Sequence, residues 1–170
     1  MSITPSSIAI AATDQMFAGL ETLLKKGAAA AQAKGVEDEV FLNWRIAPDM
    51  FPLSRQIRIA TELPVRGLSR IAGAEMPSFT DDEVTFDEFL ARIEKARKLV
   101  HALDTSALDA DPDAPISFPA GGGNEMTLPR RAYLQNFILP NLYFHATATY
   151  LILRHLGVDV GKRDYLAVPA

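Results

Sequence analysis

An all-α fold is what this sequence predicts: a four-helix bundle with a small β-hairpin between its third and fourth long helices. Three observations lead there. Four stretches carry apolar residues at helical spacing, with start or stop signals at their ends. Short apolar-polar-apolar segments flank a glycine run between the third and fourth stretches. The chain has 170 residues, 48% hydrophobic and 22% charged, which suits a single domain over residues 1–170 with an ample core.

The first helix starts after a cap at Ser6 or Ser7 and runs to about Gly35. Ile8, Met16, Phe17, Leu20, Leu23 and Leu24 supply its apolar stripe, and Asp14, Glu21 and Lys25 lie near the opposite face. The run Ala28 to Ala33 favours continued helix until Gly35 ends it. A short helix over Glu37–Trp44 follows. Ala47-Pro48-Asp49 then breaks the chain and offers Asp49 as cap of the second long helix, with Pro52 in its first turn and Gly73 as its stop. Leu53, Ile57, Ala60, Leu68 and Ile71 face inward, whereas Arg55, Arg58, Glu62, Arg66 and Arg70 form a charged side. Pro64 is expected to kink this helix or interrupt a hydrogen bond.

Glu75 to Val84 reads as an acidic loop. Thr85-Phe86-Asp87-Glu88 is a capping box opening the third helix, with Phe86, Leu90, Ile93, Val100 and Leu103 as its stripe. Glu88 with Arg92 and Glu94 with Lys98 read as i,i+4 pairs on its wet face. Ile116-Ser117-Phe118 and Met126-Thr127-Leu128 flank Gly121-Gly122-Gly123-Asn124 as a hairpin. The glycine run lacks the Lys-Ser/Thr ending of a phosphate loop. A fourth long helix spans about Arg130 to Leu156, with a kink near Pro140 and a stop at Gly157. The tail from Val158 to Ala170 is expected to be extended.

Composition narrows the function classes. The absence of cysteine removes disulfides, thiolate metal sites, iron–sulfur clusters and cysteine nucleophiles. Seventeen Lys and Arg against 21 Asp and Glu leave a net charge of −4, so no basic excess points to nucleic acid. Arg55, Arg58, Arg66 and Arg70 read instead as a solvated helix face beside acidic loops. The first residues lack the basic region of a signal peptide, so a cytoplasmic protein is expected. Ala132 to Leu153 contains no Asp, Glu, Lys or Arg, long enough to span a bilayer. Its Gln135, Asn136, Asn141, His145, Thr147 and Thr149 fit the interior of a bundle better than lipid. No membrane partner is therefore expected.

The polar residues on inward faces mark the candidate site. At about 100° per residue, Asn141, His145 and Thr149 form a ladder inside the apolar stripe of the fourth helix. Asp49 and Gln56 share the inner face of the second. A functional reading makes these five a pocket for a small molecule, with Tyr143 or Tyr150 nearby. Asp49 would orient the imidazole of His145 as a base or ligand. A structural reading has Asp49 cap its helix while His145 satisfies a core hydrogen bond. Of the three histidines, His101 sits toward a charged side and His155 in the last turn of the fourth helix, where a cation suits the helix dipole. His145 and His155 lie about 80° apart around the helix and ~15 Å along it, too far to share an ion. Asp49, His145 and waters could hold a divalent metal only weakly, and no cofactor is otherwise expected.

Arg45-Ile46-Ala47-Pro48-Asp49-Met50-Phe51-Pro52-Leu53, Leu139-Pro140-Asn141-Leu142-Tyr143-Phe144-His145, Leu153-Arg154-His155-Leu156-Gly157-Val158 and Gly161-Lys162-Arg163-Asp164-Tyr165-Leu166 together resemble a bacterial domain-of-unknown-function family. That family is grouped with the DinB/YfiT-like metalloenzymes, and the likeness covers nearly the whole chain. The resemblance implies a four-helix bundle, often dimeric. In the wider superfamily a metal sits on three histidines, one from the second helix and two from a His-x-x-x-His pair on the last. Carried onto this sequence, the second-helix position falls near Asp49 and one of the pair on His145. The other falls on Thr149 or Asn141, so the triad is incomplete. Superfamily precedent would be hydrolysis or group transfer at a metal-activated water. The competing expectation is a non-catalytic dimeric stress or interaction protein, with Phe41, Trp44 and Phe51 as exposed apolar candidates.

Overall fold

Helix dominates the computed structural model, which describes residues 3–168, and a small antiparallel hairpin is the sole sheet among them. The first helix, α1, spans Pro5–Lys34. Its cap is Thr4 rather than Ser6 or Ser7: the Thr4 side chain accepts from Ser7 N–H, and the Ser7 hydroxyl bonds back to the Thr4 backbone. Gly35 ends it at φ 65°, a left-handed conformation that glycine adopts without Cβ strain. A short α2 covers Asp38–Leu42. Phe41, expected at the surface, is buried there and meets the ring of Phe86 edge-on at 6.4 Å.

The second long helix, α3, spans Leu53–Ala72 with Gly73 as its left-handed stop. Asp49 does not cap it. Pro52 takes that place, and Asp49 stays exposed in the preceding turn. A helix begun at Asp49 would need Phe51 in α conformation immediately before proline, which the pyrrolidine ring disfavours. Pro64 lies buried inside the helix, which continues through it.

The third long helix, α4, spans Phe86–His101 and opens on the expected capping box. Glu88 accepts from the N–H groups of Val84 and Thr85 and has no bond to Arg92. Arg92 instead turns inward and is buried, because the seam runs Phe86, Phe89, Ile93, Ala96, Val100 and carries Arg92 on its flank. A short α5 at Thr105–Asp109 leads to β1, Pro115–Gly121, and β2, Asn124–Pro129. The strands pair antiparallel around Gly122-Gly123, and Ile116 and Phe118 send their side chains into the core.

The fourth helical run is compound. It comprises α6 (Arg130–Tyr133), a π-helical turn (Leu134–Ile138) and α7 (Leu139–His155). At the junction Leu139 N–H donates to Leu134 C=O, five residues back. Pro140 follows directly, with no N–H to give, so the expected irregularity takes the form of a widened turn. Gly67 of α3 makes room for it: a Cβ there would lie 2.6 Å from Ile138 Cδ1. The tail is not wholly extended. Val158 and Val160 are buried, and Lys162–Tyr165 forms a turn of helix, α8, whose backbone rests on Gly19 of α1. Residues 169–170 of that expectation lie outside the described residues.

Packing joins the long elements. α3 lies along α7, α1 contacts α4 and α7, and α3 also meets α4. One contiguous core results, built around Phe17, Leu20, Leu24, Ile57, Phe89 and Ile152. Among the described residues, no helix is long and apolar enough to cross a membrane.

Candidate functional site around His145

Where α3 crosses α7, a single polar contact interrupts the apolar seam. His145 Nδ1 and Gln56 Oε1 are 2.6 Å apart, and both residues are buried. Gln56 spends its amide N–H on the Phe51 carbonyl at 3.1 Å, so its oxygen faces the ring. An amide oxygen can only accept, so the imidazole carries its proton on Nδ1. Nε2 is then the lone-pair nitrogen, and no side chain among the described residues hydrogen-bonds it.

Electrostatics keep this ring neutral. Burial, with a smaller push from the Arg55 guanidinium, lowers the His145 pKa from 6.5 to about 4. At neutral pH the site therefore offers an uncharged acceptor nitrogen held in one tautomer. The face of the neighbouring Phe144 ring stands at 88° to it, with centroids 5.1 Å apart.

The other expected members are distributed differently. Thr149 is buried, but its hydroxyl donates at 3.0 Å to the His145 carbonyl in its own helix. Asn141 donates to the Phe137 carbonyl at 2.8 Å, serving the backbone beside the π turn. Asp49 makes no hydrogen bond to His145; the partner is Gln56, one helical turn inside α3. Tyr143 is 39% exposed, and partial desolvation with the nearby Tyr165 phenol raises its pKa. Tyr150 packs edge-on against Tyr165 at 6.1 Å. The remaining histidines are occupied elsewhere: His101 bonds Asp14 at 2.9 Å, and His155 stacks on Trp44.

A tightly held metal does not fit this donor set. The described residues contain no group of three His, Asp or Glu side chains placed to share an ion. Around His145 the candidates are an amide, a second amide and a hydroxyl, all three engaged with backbone carbonyls.

Sequence reasoning missed the most connected polar residue. Arg92 donates from Nε to Thr61 Oγ1 at 2.9 Å, and from Nη1 to Glu83 and the Thr80 carbonyl, both at 2.6 Å. Its Nη2 reaches Glu62 at 3.3 Å and Asp81 at 3.5 Å. The ring of Phe79 lies 4.7 Å from the guanidinium. With Arg58 on Glu83 at 2.8 Å and Arg55 on Asp81 at 3.1 Å, this cluster straps the acidic loop to α3 and α4. The hint in sequence was an arginine three residues after Phe89 and four before Ala96, on the seam's own flank.

A helical fold with a hairpin insertion and one inward imidazole on its last long helix defines the class, and comparison places it. A crystal structure of a DinB family member protein from Shewanella denitrificans superposes with a TM-score of 0.85 at 33% identity, covering 95% of this chain and 90% of that one. Residues 6–166 match the family described as a domain of unknown function, DUF1993, and the chain belongs to that family. No functionally curated protein matches it.

Proposed function

We propose that the protein is a small-molecule-binding four-helix bundle of the DinB/YfiT kind, with its site between α3 and α7 at His145. The observation that carries this reading is the locked tautomer: Gln56 holds Nδ1–H and leaves Nε2 as an acceptor with no protein partner. Donor groups on a ligand, such as an amide or hydroxyl, complement such a nitrogen. A pKa near 4 makes Nε2 a better acceptor than proton carrier at neutral pH, which favours binding over general-base turnover. Nε2 with water ligands would hold a divalent ion only weakly, so hydrolase or transferase chemistry at a metal has no support from the donor set.

A fragment screen followed by NMR of His145 tests the reading. A ligand at this site shifts the ring Nε2 resonance, and Gln56→Leu, which frees the ring, abolishes that shift. Fragments that bind without disturbing Nε2 would contradict it.

A second reading, homodimerisation, is favoured by a different observation. Phe144 and Leu151 stand exposed on the outer side of α7, at 59% and 45%, and with Met50 and Tyr143 they line an apolar groove. Light scattering at micromolar protein is expected to give a dimer that Phe144→Glu dissociates. A monomeric wild type would remove this reading and leave the first intact.

A further inference from the structure

One face of α3 lines a cleft of about 420 Å³, opposite Pro119 of β1 and Tyr133 and Phe137 of the fourth helical run. That volume is in the range of small-molecule sites. Gln56 and His145 are not among its walls, so it is separate from the site above.

The polar end of the cleft is short of acceptors. Tyr133 is buried, its ring 4.2 Å from that of Phe118. Arg70 Nη1 donates to the Tyr133 hydroxyl at 2.9 Å, so the phenol oxygen already serves as an acceptor there. The hydroxyl hydrogen then needs an acceptor of its own, and none among the described residues takes it. Arg70 itself is half-buried and pairs with no carboxylate among the described residues, unlike its neighbours. Arg66 is tied to Glu62 at 2.6 Å and Arg55 to Asp81 at 3.1 Å. Glu62, the acid of the cleft, is engaged by both Arg66 and Arg92.

The remaining Arg70 N–H groups and the Tyr133 O–H thus lie together beside a cleft whose one carboxylate, Glu62, is already engaged by Arg66 and Arg92. Their complement is an oxyanion, which a guanidinium fork and a neutral hydroxyl donor hold together. The remaining wall is apolar, formed by Ile59, Leu63, Phe137 and Pro119. We propose that this cleft binds a small organic carboxylate, with its oxygens on Arg70 and Tyr133 and its apolar body against Ile59, Leu63 and Phe137. Against a whole-chain charge of −4, it concentrates three arginines around one committed glutamate.

Titration of the full chain with benzoate, octanoate and inorganic phosphate at low salt tests this, read by calorimetry and by the Arg70 side-chain NMR signals. At least one organic carboxylate is expected to saturate at millimolar concentration or below and to move the Arg70 signals. Phosphate, lacking an apolar body, is expected to bind about tenfold more weakly. Tyr133→Phe keeps the ring packing and removes only the hydroxyl; it and Arg70→Gln should each weaken carboxylate binding about tenfold. The proposal is overturned if neither carboxylate saturates, if phosphate binds as tightly as both, or if Tyr133→Phe retains full affinity. Tyr133→Phe alone decides the point should Arg70→Gln fail to fold.

Discussion

Helix α3 serves two polar regions of opposite character. Toward α4 and the acidic loop it meets Arg92, whose N–H groups all face protein oxygens: one hydroxyl, one carbonyl and the carboxylates of Glu62, Asp81 and Glu83. Toward α7 it meets His145 through one bond and leaves a ring nitrogen over. The first region is charged, dense and internally complete; the second is neutral, sparse and open-ended. Completeness marks a structural device, because nothing remains for a ligand to satisfy. A ring nitrogen that the protein leaves unpaired, within reach of solvent on an otherwise buried side chain, marks a place where something else can be held.

The largest effect expected from breaking this contrast is at Arg92. Arg92→Ala removes a side chain that is only 3% exposed together with several charge-assisted hydrogen bonds worth about 1.5–3 kcal/mol each, while the three carboxylates keep Arg55, Arg58 and Arg66, so a loss of about 3–5 kcal/mol is expected. Urea denaturation reads this directly, and the acidic loop should become protease-sensitive in the same variant. A loss below about 1 kcal/mol would mean that the cluster is no better than a surface ion pair.

Acidification separates the two regions next. His145 has a folded pKa of about 4 against 6.5 when free, so the unfolded chain binds the extra proton between those values. The stability that comes with the neutral ring is fully present above about pH 6.5 and is lost as pH falls toward 4. The wild type should therefore lose about 3 kcal/mol relative to His145→Gln across that window. Parallel stability curves for the two proteins would contradict the assignment.

The smallest effect is expected at Thr149. Its hydroxyl bonds the carbonyl of His145 in its own helix, which that helix can satisfy without it. Thr149→Val should change stability by no more than about 1 kcal/mol and leave the His145 titration unmoved. A shifted titration would restore Thr149 as a member of the site.

Local signals were legible in the sequence, and long-range ones were not. The box at Thr85 and Glu88 fixed the start of α4, and Gly35 and Gly73 the ends of α1 and α3, because each acts within one turn of chain. The hairpin was legible for the same reason, its strands being joined by two glycines. The inward direction of His145 and Gln56 followed from helical periodicity. The choice of Gln56 over Asp49 depended on the restriction that Pro52 places on Phe51, a backbone effect hidden behind the attraction of a capping aspartate. Arg92 was hidden more deeply, since its burial is made by Thr80, Asp81 and Glu83 of a loop folding back over it. The π turn and α8 rest on contacts with Gly67 and Gly19 that lie far away along the chain.

The most direct measurement is the long-range ¹H–¹⁵N spectrum of the His145 ring as a function of pH. Protonated Nδ1 and bare Nε2 at neutral pH, with a titration midpoint near 4, are the expected result. A ring protonated on Nε2, or one that titrates near 6.5, would contradict the locked neutral tautomer on which the proposed site depends.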